Sequence, residues 1–153
     1  MLKSILKGAA AGAAGTTALN ATTYLDMAVR GRPTSSTPED TVEKLAEVAH
    51  LRIPGEGDDR DNRVAGLGPL SGIATGVGVG ALLGLARALR WRPPLAIGAA
   101  AATLLAVMAA NGPMTALGIT DPRTWSLESW VADVVPHVAY GIVAAATLEG
   151  LDS

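Results

Sequence analysis

The chain has no cysteine, no phenylalanine and only two histidines, and aromatic residues make up 3% of its 153 positions. Without cysteine there is no disulfide framework, no thiolate nucleophile and no Cys-ligated zinc. His50 and His137 alone leave little material for a His-based metal site. Charge is scarce too: 17% of residues are Asp, Glu, Lys or Arg, where about a quarter is usual. A net charge of −2 provides no electrostatic footprint for nucleic acid.

The scarcity of charge is local. Gly8–Leu25, Val64–Ala86, Pro93–Thr120 and Val134–Leu148 hold none of the four charged types. The 12 Lys/Arg and 14 Asp/Glu all fall in the 69 positions outside those windows. Helices of a soluble domain carry charge along their wet faces, so such segregation points to a bilayer. A hydrocarbon core of about 30 Å needs roughly 20 apolar residues in a helix. With flanking residues added, the windows predict spans at 5–28, 65–87, 94–111 and 130–149. The expected class is an all-α integral membrane four-helix bundle, a single membrane domain over 1–153. The first span has the weakest insertion drive, because Gly8–Ala21 is nearly all Gly, Ala and Thr with Asn20. A signal peptide is its competing reading, given Lys3 and Lys7 in front. The stretch lacks a Leu-rich centre and a clean Ala-x-Ala cleavage site.

What the chain does have is small residues, with 18 glycines and 29 alanines. Gly68, Gly72, Gly76, Gly80 and Gly84 recur every four residues in one predicted helix. Each helix-interior Gly costs about 1 kcal/mol relative to Ala. Five would remove much of a small soluble domain's net stability. In a bilayer the helix is enforced, because its backbone finds no water to bond. The stripe then lets a neighbouring backbone approach closely. These five glycines are the expected helix-packing surface, with their helix at the centre of the bundle. Gly8, Gly12 and Gly15 form a shorter small-residue face in the first span. Ala99, Ala102, Ala106, Ala109 and Ala110 do so in the third. Trp91, Trp125 and Trp130 fall at span ends, where Trp prefers the interface.

The polar segment 30–63 contains one helix signal. Thr37-Pro38-Glu39-Asp40 reads as an N-cap, a proline and first-turn acids. Val42, Leu45, Ala46 and Ala49 then recur at helical spacing, giving a short amphipathic helix in the first loop. It either rests on its own bundle or docks a partner. Residues 53–63 read as a turn-rich loop. Asp58, Asp59 and Asp61 lack the spacing and terminal Glu of an EF-hand.

Polar residues at membrane depth are functional hypotheses by default. Asn20, Tyr24 and Asp26 belong to the first span, and Asn111 closes the third. Asp133 and His137 are four apart on the fourth, with Tyr140 three further, so all three fall on one helix face. One reading makes Asp133, His137 and Tyr140 a proton-handling face that meets Asn20 or Asp26. A carboxylate beside His raises its pKa, and the cluster would suit a small proton-coupled transporter or channel. The other reading makes them interhelical hydrogen-bond glue, at about 0.6–2 kcal/mol each. No His-Glu-x-x-His, Gly-x-Ser-x-Gly or phosphate loop occurs. The chain is therefore expected to be neither an enzyme nor a binder of cofactor or metal. Its expected partners are the lipid bilayer and either further copies of itself or a larger membrane complex. No nucleic acid is expected. The Arg87, Arg90 and Arg92 turn with Lys3 and Lys7 favours both termini in the cytoplasm, in the inner (plasma) membrane. Arg30 and Arg32 oppose this.

Some stretches are familiar: Asn20–Ser35, Gly66–Gly72, and Asn111–Gly141 with Thr120-Asp121-Pro122-Arg123-Thr124-Trp125 and Pro136-His137-Val138-Ala139-Tyr140-Gly141. In these the chain resembles small four-helix membrane proteins common in high-GC actinobacteria, and more loosely the YagU-type group of bacterial inner-membrane proteins. It departs from the YagU type in its glycine stripe and longer first loop. The resemblance implies a multi-pass membrane protein, most simply a structural or accessory one. It implies no catalytic residues.

Overall fold

A computed structural model describes residues 1–152 of the chain. Among them every regular element is helical: α1 (Leu2–Arg30), α2 (Thr37–Val48), α3 (Asp58–Ala88), α4 (Leu95–Ala116) and α5 (Leu127–Asp152), with a 3-10 turn at Pro122–Thr124. Three of them, α3, α4 and α5, are long and apolar enough to cross a membrane. Helix α1 has the length, at 29 residues, but its Gly/Ala/Thr composition keeps it outside that group.

The ends of the helices have local causes. Helix α1 stops at Gly31, whose φ of 63° turns the chain out of the helix. Helices α2, α3 and α4 finish with one shared closure. The residue after the C-cap takes positive φ, and the next amide reaches back to the fifth carbonyl before it: Leu51 to Ala46, Trp91 to Ala86 and Ile119 to Met114. Gly118 fills the left-handed position after α4, whereas His50 (φ 54°) and Arg90 (φ 70°) fill it after α2 and α3.

Two expectations about element limits need correction. Asp58, Asp59 and Asp61 lie in the first turn of α3, not in a loop. Carboxylates there meet the positive end of the helix dipole, which favours helix over coil. Helix α4 also does not close at Asn111. It continues through Pro113 to Ala116, and the Pro113 carbonyl still accepts from the Leu117 amide. Loss of one N–H at Pro113 leaves the following turn able to form.

Packing runs pairwise. Helix α1 lies against α3 and α5, α4 lies mainly against α5 and less closely against α3, and α2 rests on α3. The chain runs up and down, so the start of α1 and the ends of α3 and α5 share one end. Lys7 Nζ sits 3.2 Å from Asp152 Oδ1, and Arg87 Nη1 sits 3.7 Å from Asp152 Oδ2. The expected central position of the glycine-striped helix is not observed. One buried cluster draws on Ala11, Val79, Leu83, Ala102, Ala106, Tyr140, Ala144 and Leu148, from α1, α3, α4 and α5 alike.

The interior is rich in small side chains, with Val79, Leu83, Tyr140 and Leu148 among them, while many large apolar ones lie outside. Ala11, Ala102 and Ala144 are fully buried, while Leu82, Leu104, Met108 and Ile142 are each more than half exposed. A water-soluble core would reverse this order, because burying Leu and Ile is worth more than burying Ala. Hydroxyls follow the same logic. Thr16, Thr75 and Thr103 donate to carbonyls one turn earlier in their own helices, at 2.8–2.9 Å. Each hydroxyl is thus satisfied without water.

Candidate functional site

Two groupings emerge: a contact of backbone on backbone between α1 and α3, and a polar contact between α4 and α5. The first is set by missing side chains. A Cβ added at Gly12 would stand 2.5 Å from the Gly76 carbonyl oxygen and 3.0 Å from Gly80 Cα. A Cβ at Gly80 would stand 2.5 Å from Gly12 Cα, and one at Gly84 would stand 3.0 Å from Gly8 Cα. Cβ atoms essentially never approach so near, so at these points α1 and α3 touch main chain to main chain. The expected five-residue stripe divides by neighbour. Gly76, Gly80 and Gly84 face α1. Gly68 faces Glu39 of α2, with a Cβ placed 3.1 Å from its carboxyl carbon. At Gly72 there is open space.

Tyr140 packs against this contact at Gly15 and Gly76. It is 1% exposed. Its ring lies where a Cβ at Gly15 would be, 2.8 Å from Cδ2, and 3.4 Å from where a Cβ at Gly76 would be. Its hydroxyl donates to the Gly76 carbonyl at 2.6 Å. One tyrosine from α5 thereby spans a slot lined by glycines of α1 and α3.

The α4–α5 contact has its own close approach. A Cβ at Gly141 would come within 2.5 Å of the Ala99 carbonyl oxygen and into Thr103. Gly141 was not among the packing glycines expected from spacing. A signal for it exists in Gly141-x-x-x-Ala145, and Ala145 is also buried.

Toward the α2 end of this contact sit the polar groups. Asn111 Nδ2 of α4 donates to Asp133 Oδ2 of α5 at 3.0 Å. His137 Nδ1 lies 2.7 Å from the Asp133 backbone oxygen and 3.7 Å from its Oδ1. Since a carbonyl only accepts, Nδ1 bears the proton and donates to it. Pro136, beside His137, has no amide to offer the Ala132 carbonyl. His137 is buried, and the side chain of Asp133 is 18% exposed.

The five polar candidates do not form one cluster. Asp133 and His137 come together, and Asp133 meets Asn111, not Asn20 or Asp26. Tyr140 turns its hydroxyl away to Gly76. Asp26 belongs to an arginine cluster at the end of α1: Arg30 Nε lies 2.9 Å and Arg32 Nε 2.5 Å from its carboxylate. Arg30 also reaches Glu128 at the start of α5, at 2.7 Å. Asn20 is half-buried on α1 and carries no side-chain hydrogen bond among the described residues.

Outside the helices, Asp121 caps the 3-10 turn. Its carboxylate accepts from the Arg123 amide at 3.0 Å and from the Arg123 guanidinium at 2.9 Å. These contacts hold the Asp121 carboxyl below the ordinary carboxylate value and raise Arg123. Trp125 Nε1 donates to Thr120 at 2.8 Å, and its ring meets Trp130 edge-on at 5.0 Å. The described residues contain no group of three or more His, Asp or Glu placed to hold a metal ion.

No protein-family model, curated protein or solved structure matches this chain.

Proposed function

We propose that the chain is a small multi-pass membrane protein of structural or accessory type, an α-helical bundle in which α1, α3, α4 and α5 all cross the bilayer. The observation that carries this reading is the main-chain contact of Gly8 and Gly12 with Gly76, Gly80 and Gly84. Helix α1 is too poor in large apolar residues to insert strongly by itself. Docked on α3, it places Ala11, Gly12, Gly15 and Thr16 inward and leaves little polar backbone to desolvate. The exposed leucines and isoleucines of α3, α4 and α5 then face acyl chains. The same glycines form a zipper within the chain. Larger assembly would use what remains open, such as the positions at Gly72 and Gly78.

The Asn111–Asp133–His137 contact fits this reading as glue between α4 and α5. The proton of His137 Nδ1 is committed to a backbone carbonyl, and Asp133 to an amide. The proximity of Asp133 Oδ1 to the imidazole, 3.7 Å, favours a second reading as a proton-coupled transporter or channel. The resemblance to small actinobacterial membrane proteins and the YagU-type group agrees with the membrane reading. We also infer that both termini face the cytoplasm, in the inner membrane, because three arginines crowd the short turn between α3 and α4. No catalytic activity or cofactor forms part of this reading.

The test is purification in mild detergent with identification of co-purifying chains, in parallel with flux assays in proteoliposomes. A stable homo- or hetero-complex that survives Asp133→Asn and His137→Ala supports the accessory reading. A pH-dependent flux abolished by both substitutions would sink it in favour of transport.

A further inference from the structure

The two ends of the helical bundle differ in charge. One end gathers Lys3, Lys7, Arg87, Arg90 and Arg92 against Glu149 and Asp152, a surplus of three positive side chains. The seven other cations share the rest of the molecule with twelve carboxylates, a deficit of five. The two basic groups, at the start of α1 and around the α3–α4 turn, are brought to one end where Lys7 and Arg87 both meet Asp152.

Within the basic end the charges divide again. Lys7 and Arg87 are committed to Asp152, with Lys7 also donating to the Leu151 carbonyl. Lys3, Arg90 and Arg92 meet no carboxylate among the described residues. Arg90 takes a left-handed φ of 70°, and Trp91 beside it is 42% exposed. Exposed Trp between free arginines at a helix end is the chemistry of a headgroup layer: the ring sits among glycerol and carbonyl groups, and the guanidinium binds phosphate oxygens.

We propose that this end docks on the anionic headgroups of its own leaflet, with Lys3, Arg90 and Arg92 as phosphate-binding side chains and Trp91 as the interfacial anchor. The inference rests on the membrane reading above. The opposite end, with its excess of carboxylates, repels such lipids. An anionic leaflet would therefore bind one end of the molecule selectively. Each Lys or Arg near a charged leaflet contributes about a fivefold change in affinity. Removal of all three corresponds to a loss on the order of a hundredfold.

The experiment uses the full chain in detergent micelles, mixed with phosphatidylglycerol or phosphatidylcholine and read by native mass spectrometry as retained lipid. Wild type is expected to retain phosphatidylglycerol over phosphatidylcholine. Lys3→Gln/Arg90→Gln/Arg92→Gln is expected to lose that preference with unchanged helicity. Arg52→Gln/Arg63→Gln, at the other end, is expected to keep it. Equal retention of both lipids by wild type, or an undiminished preference in the triple variant, overturns the proposal. So does loss of the preference in the opposite-end variant. Recovery of the chain in the soluble fraction after detergent-free lysis would instead defeat the membrane reading itself, so the two failures are distinguishable.

Discussion

At Gly80 a single hydrogen atom decides whether α1 and α3 can meet, since a Cβ there would lie 2.5 Å from Gly12 Cα. Gly80→Ala should therefore destabilise by about 1–3 kcal/mol, the range for forced overpacking. Gly72→Ala, four residues from Gly76 on the same stripe, meets open space. It should be neutral or stabilising by up to about 1 kcal/mol, because Ala is the better helix former. Thermal unfolding of the two variants in one detergent compares them directly, and equal effects would show that the stripe is not a contact surface. Tyr140→Phe keeps the ring in its slot and deletes the bond to the Gly76 carbonyl. A loss of about 0.5–1.5 kcal/mol is expected, as for one buried hydrogen bond. A loss like that of a truncated ring, about 3–5 kcal/mol, would mean that the hydroxyl holds more than one contact. The stripe itself was legible as a four-residue period. Its division among α1, α2 and open space was not, because a period gives spacing along one helix and says nothing about which neighbour covers each turn.

Elements were more legible than their limits. Charge-free windows overlap all four long helices, of which α3, α4 and α5 are long and apolar enough to cross a membrane. Their ends depend on local electrostatics that a hydropathy reading passes over. Asp58–Asp61 looked like a loop by polarity, yet it forms the first turn of α3, where carboxylates meet the positive end of the helix dipole. The capped turn at Asp121 offers an element-scale test. Its carboxyl is held below its ordinary value of 3.8 by Arg123. The contribution is thus fully present above that ordinary value and is lost as pH falls through the lower folded value. The side-chain carboxyl chemical shift of Asp121 should accordingly titrate below the ordinary Asp range. Arg123→Gln should return the midpoint toward 3.8. An unchanged midpoint in the variant would show that the pair is not formed in solution.

For the whole molecule, the inverted distribution of small residues inside and large ones outside makes a physical prediction. Bulky apolar residues such as Leu104, Met108 and Ile142 are more than half exposed. In water they would form patches far beyond what a monomeric soluble protein tolerates. The chain should resist extraction by alkaline carbonate and pass into solution only with detergent; release by carbonate alone would contradict a spanning bundle. The polar site was legible only in part at this scale. Asp133 and His137 were readable as neighbours because four residues make nearly a turn. Their partner Asn111 was known as a polar residue but not as the one they meet, since only helix order places α4 beside α5.

By itself, the sequence determined that the chain is helical and apolar in long windows, and that its small residues would lie against other helices. These are properties of solvation and local periodicity, which each segment carries alone. Tertiary structure decided which glycines touch backbone, where Tyr140 goes, and that α4 supplies the partner for Asp133. Each of these depends on helix order, rotation and depth. Those follow from how closely two backbones can pack, and no single segment encodes them.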